Sequence, residues 1–114
     1  MAREPRCWSL EGARALLPDV RKRTASAVAE VNALLERRES DGDKALTADQ
    51  LDARVGSVTS DWVRAMEALG LEVKGLWLVD FDNGSGYYCW RWPETELDHF
   101  HGYEEGFSGR VRIQ

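Results

Sequence analysis

The sequence predicts an α+β fold, a long antiparallel helical hairpin followed by a small three-stranded antiparallel β-sheet. Two observations predict it. Through residues 9–70 apolar side chains recur three and four apart, the spacing of one helix face. Through residues 71–114 the period falls to two, the spacing of a strand with two different faces. A length of 114 residues allows one modest core, so both halves are read as one domain.

Ser9 opens the first helix as its N-cap, and Glu11 suits the positive end of the helix dipole. Leu10, Ala13, Leu17, Val20, Thr24, Ala27, Val31 and Leu34 form the seam, and Leu16, Val28 and Leu35 widen it. Pro18 falls inside this pattern. It has no amide hydrogen and crowds the carbonyl of Arg14, so a kink is expected, or a restart with Pro18 in the first turn. Glu39 to Ala45 is polar, contains Ser40, Asp41, Gly42 and Asp43, and reads as a loop.

Thr47 and Gln50 make a capping box for the second helix. Its seam is Leu51, Val55, Val58, Trp62, Met66 and Leu69, and Gly70 followed by Leu71 fits a Schellman stop. Pro18–Glu39 and Ala48–Leu69 hold 22 residues each, so matched helices fold back on one another.

In the second half Trp77, Val79 and Phe81 alternate with Leu78 and Asp80, predicting a first strand. Asp82-Asn83-Gly84-Ser85-Gly86 is a turn. Tyr87 to Trp92 returns, with Tyr88, Trp90 and Trp92 on one face and Tyr87, Cys89 and Arg91 on the other. Pro93 ends that strand. Leu97, His99 and His101 alternate with Asp98 and Phe100 as a third strand, and Glu104 to Gln114 reads as a glycine-containing loop with an extended tail.

Composition narrows the function classes. Net charge is −5, and residues 76–106 carry seven acids against Arg91 alone, so no nucleic-acid partner is expected. The basic run Arg21-Lys22-Arg23 lacks interleaved aromatics and reads as a solvated helix face. No apolar run approaches the roughly 18–20 residues that span a bilayer, and Met1 to Leu10 has no signal-like apolar core. No membrane partner and a cytoplasmic location are expected. Cys7 and Cys89 are then expected to stay reduced, and no CxxC pair is present.

The order of motifs resembles the DUF2203 family, small uncharacterised bacterial and archaeal proteins. The resemblance rests on Trp8-Ser9-Leu10-Glu11 through Ala15-Leu16-Leu17-Pro18, on Glu72-Val73-Lys74 with Leu78-Val79-Asp80-Phe81, and on Cys89-Trp90-Arg91. It continues through Phe100-His101, Glu104, Gly106-Phe107 and Gly109-Arg110. Gly12 and Gly102 stand where that pattern has acidic residues. The resemblance implies no activity. It does mark Cys89, Arg91, His101, Glu104 and Arg110 as the polar cluster of interest, and gives His99 no such support.

Three chemistries fit that cluster. In a meander Cys89, His101 and an acid from Glu104 or Glu105 converge, and these are ligand types of zinc and iron. A catalytic reading pairs Cys89 as nucleophile with His101 as base and Arg110 as anion holder. A structural reading makes the tail a salt-bridged lid, with Arg91 and Arg110 pairing with Glu94, Glu104 or Asp80, and His101 bonded to a backbone carbonyl. The expectation for the whole chain is a non-catalytic binding or assembly module, a homodimer through its helical hairpin. The alternative is a zinc- or iron-binding protein, hydrolytic or redox-active, centred on His101, Glu104 and Cys89.

Overall fold

The computed structural model describes residues 7–40 and 46–113, without the side chains of residues 38–40. The N-terminal residues 1–6, loop residues 41–45 and Gln114 lie outside the described residues.

Helix α1 (Leu10–Ser40) begins where Ser9 predicts, with the Gly12 amide donating to Ser9 Oγ at 3.0 Å. It runs unbroken through Pro18 and one residue past Glu39, which corrects the expected interruption and the start of the loop. Pro18 is exposed, so the Arg14 carbonyl it leaves without a partner is on the water side. The buried stripe Ala13, Leu17, Val20, Thr24 and Ala27 continues in register across it, and packing holds the helix together there.

Helix α2 (Ala48–Ala68) has the predicted capping box. The Gln50 amide donates to Thr47 Oγ1 at 3.1 Å, and the Thr47 amide donates to Gln50 Oε1 at 2.9 Å. It stops in a Schellman turn, with Gly70 at φ +91° and the Leu71 amide donating to the Met66 carbonyl at 3.1 Å. Inside the hairpin the Trp62 indole N–H donates to Thr24 Oγ1 at 2.8 Å, which satisfies two polar groups in an otherwise apolar seam.

The sheet has five strands rather than the expected three: β1 (Glu72–Gly75), β2 (Leu78–Asp82), β3 (Tyr87–Arg91), β4 (His99–His101) and β5 (Val111–Arg112). They form an antiparallel meander in chain order. Trp77 leaves the strand it was expected to begin. It occupies the β1–β2 turn at φ +57°, a conformation that costs a bulky residue about 1–3 kcal/mol. Edge-on packing of its ring 4.9 Å from Trp62 offsets that strain.

Strand alternation then sorts the faces. Val79, Phe81 and Trp90 are fully buried against Leu17, Val20, Trp62 and Met66 of the helices, with Leu71 and Leu97 closing the core. Their neighbours Asp80 and Cys89 point to the opposite face, as does His101.

Candidate functional site

The site lies on the face of the sheet away from the helices. Asp80 on β2 is directly opposite Cys89 on β3, and His101 on β4 stands one pleat along, opposite Tyr87. Gly86 makes this close approach of β3 and β4 feasible, since a Cβ there would meet the His101 carbonyl oxygen at 2.6 Å. The chain after β4 folds back over the face. Tyr103, Glu104, Glu105 and Phe107, with Lys74 and Tyr87 of the sheet, wall a pocket of about 360 Å³ with Asp80, Cys89 and His101 among its lining.

Asp80, Cys89 and His101 are each at most 4% exposed. One donor atom from each lies within 4.8 Å of the other two. His101 Nδ1 is 2.8 Å from the Gly102 carbonyl, and Nε2 is 2.9 Å from Asp80 Oδ2. A carbonyl oxygen only accepts, so Nδ1 carries a hydrogen and donates it. Nε2 then faces a carboxylate oxygen at a distance that requires one proton between them. The other oxygen, Asp80 Oδ1, is buried and is reached by no nitrogen or hydroxyl donor, and the carboxyl's other side-chain hydrogen bond is with the neighbouring Cys89 thiol. Burial raises the Asp80 carboxyl above its ordinary value, and His101 and the Cys89 thiol oppose that only in part.

Burial and then the Asp80 carboxylate push the Cys89 thiol up to about 12, with Arg110 opposing. Both ring nitrogens of His101 are committed elsewhere. The nucleophile reading therefore lacks its base, and Cys89 is a protonated thiol near neutral pH.

Arg110 reaches the site from the tail. Its guanidinium forms a bidentate pair with Glu94, at 3.0 and 2.6 Å, and lies 4.1 Å from the Phe107 ring centroid. Burial pulls the Glu94 carboxyl upward, but hydrogen bonds from Arg110 and from the Arg91 amide outweigh it and hold the group below its usual value. Arg91 itself is exposed and stands 5.3 Å from the Phe107 centroid rather than in the cluster.

The residues singled out from sequence thus separate. Cys89 and His101 come together, with Arg110 beside Cys89. Glu104 is exposed at the pocket rim, outside the buried triad. His99 shares a strand face with His101, but its Nδ1 lies 3.7 Å from Glu94 in a separate surface recess. The acid that completes the triad is Asp80, which the sequence offers only as a partner for Arg91 or Arg110. Its signal was available: a lone carboxylate between Val79 and Phe81, in a strand whose other interior residues are apolar. Gly102, where the family pattern has an acid, is covered by Glu105. A Cβ at Gly102 would stand 2.8 Å from Glu105 Oε1.

Among the described residues, no helix is long and apolar enough to cross a membrane. The model of a family described as "Uncharacterized conserved protein (DUF2203)" matches residues 6–113, nearly the whole chain. No curated protein and no solved structure matches it.

Proposed function

We propose that this chain, which belongs to the DUF2203 family, is a metal-binding protein that holds one zinc or ferrous ion on Asp80, Cys89 and His101. The observation that carries this reading is a buried carboxylate, thiol and imidazole whose three donor atoms lie within 4.8 Å of one another, with no nitrogen or hydroxyl donor on Asp80 Oδ1. A buried carboxylate oxygen that no such donor reaches costs free energy that a bound cation would recover. Carboxylate, thiolate and imidazole are the donors that zinc and ferrous iron take together. The Nδ1–H bond to Gly102 supports the same reading, because a carbonyl that holds Nδ1 fixes the ring of a ligating imidazole and leaves Nε2 as the nitrogen that would bind the ion.

Three protein donors would leave a coordination position for a water or a small ligand, and the pocket that Asp80, Cys89 and His101 line would admit one. Hydrolytic chemistry on a small ligand fits that arrangement better than a closed structural site, which would use four protein donors. Binding displaces the Cys89 proton and the proton shared by Asp80 and His101, so a cation must compete for both.

Cobalt(II) titration tests the reading. The parent protein should take up one equivalent and develop a thiolate-to-cobalt charge-transfer band, which Cys89→Ser abolishes while the helical circular dichroism is unchanged. His101→Gln should weaken uptake by at least about tenfold. A band that survives in Cys89→Ser, or a parent protein that binds no cobalt, rejects the site.

A further inference from the structure

The outer half of the hairpin is unfinished as a core. None of the residues from Val28 to Arg37 or from Ala48 to Asp61 is fully buried, and Leu34 and Val58 stay half-exposed. They lie in a groove of about 560 Å³ between the helices, with Glu30 and Asp61 at one end and Arg37 and Arg54 at the other.

The charge pattern identifies what fits there. Glu30 and Arg37 are seven residues apart on α1, as are Arg54 and Asp61 on α2. The helices run antiparallel, so these steps point in opposite directions along the hairpin. The two acids therefore stand level with each other, and the two arginines stand level about 10 Å further out. An acidic partner would suit one end and be repelled at the other, and a basic partner would meet the reverse. A second copy of this chain complements the sign of charge at both ends, and Asp61 would then share its charge with Arg64 of its own protomer. A two-fold axis through the middle of the groove sets Glu30 and Asp61 of one protomer against Arg37 and Arg54 of its partner, with Leu34 and Val58 packed between.

We infer that the groove between Glu30–Arg37 and Arg54–Asp61 is an isologous dimer interface that pairs two hairpins into a four-helix bundle. Glu30, Arg37, Arg54 and Asp61 are all exposed, and the ion pair of Asp61 with Arg64 is a surface one worth little, so reversing their charge leaves the fold of the chain in place. Glu30→Lys/Asp61→Lys makes both ends basic, and Arg37→Glu/Arg54→Glu makes both acidic.

Sedimentation equilibrium of the full chain at micromolar concentration should give twice 12.9 kDa for the parent. Each double variant alone should raise the dissociation constant by at least about a hundredfold, because like charges then oppose each other at both ends. An equimolar mixture of the two variants should recover the dimer mass. The parent dimer should also weaken on going from low to molar salt, a measurement that needs no variant. A monomeric parent, a double variant that stays dimeric, a mixture that stays monomeric, or a dimer indifferent to salt each overturns the interface.

Discussion

His101 Nε2 and Asp80 Oδ2 lie 2.9 Å apart, both buried, and one proton has to sit between them because Nδ1 is already committed to the Gly102 carbonyl. The pair is therefore sensitive to how Asp80 is replaced. Asp80→Asn offers an amide N–H to Nε2 and should keep stability within about 1 kcal/mol of the parent. Asp80→Ala leaves Nε2 buried without a partner and should lower it by about 2 kcal/mol. Urea denaturation at neutral pH compares them, and equal losses in the two variants would mean that the hydrogen bond is not what the pair contributes.

The clamp between Arg110 and Glu94 ties the tail to the sheet. Arg110→Ala and Glu94→Gln should each lower stability by about 1–3 kcal/mol at neutral pH, and the double variant by little more than either alone. The pH dependence has a definite sign. The folded carboxyl of Glu94 is held below its ordinary 4.5, so its contribution is complete above that value and fades as pH falls through the lower folded one. The gap between parent and Glu94→Gln should accordingly shrink on acidification below the ordinary 4.5, and a gap that does not narrow as the pH falls would contradict this assignment.

The two thiols should differ in reactivity. Cys7 is exposed, whereas Cys89 is buried with its thiol pushed up to about 12. A disulfide reagent at neutral pH should titrate one thiol per native metal-free chain and the second only after denaturation. Cys7→Ser should leave no fast-reacting thiol. Rapid modification of Cys89 in the native Cys7→Ser protein would mean that it is open to solvent or carries thiolate character.

The helices were legible because their signals are local and repeated. Ser9, the Thr47–Gln50 box and Gly70 each act through backbone groups within one turn, and the structure places all three where the sequence does. Pro18 misled, because its effect on a helix depends on whether the freed carbonyl meets water, which is a tertiary fact. β1 and β5 were missed for a related reason. Glu72–Gly75 has one apolar residue and Val111–Arg112 is two residues long, so neither carries a period, and neighbouring strands define both.

Of the site, Cys89 and His101 were readable from alternation within their own strands. Asp80 is diagonal to His101 across two strand pairings, and that register follows from the turns rather than from any single segment. The family pattern marks Glu104, but the loop after β4 carries it to the surface.

The central claim is that Asp80, Cys89 and His101 are metal ligands rather than a buried polar cluster, and metal content tests it most directly. The untagged chain, purified without chelators, is analysed by plasma mass spectrometry alongside Asp80→Asn and Cys89→Ser. The parent should carry close to one zinc or iron per chain. Both variants should remain helical and hold less than about a tenth of that. A metal-free parent that cannot be loaded with zinc or ferrous iron, or metal retained in full by Cys89→Ser, would contradict the claim.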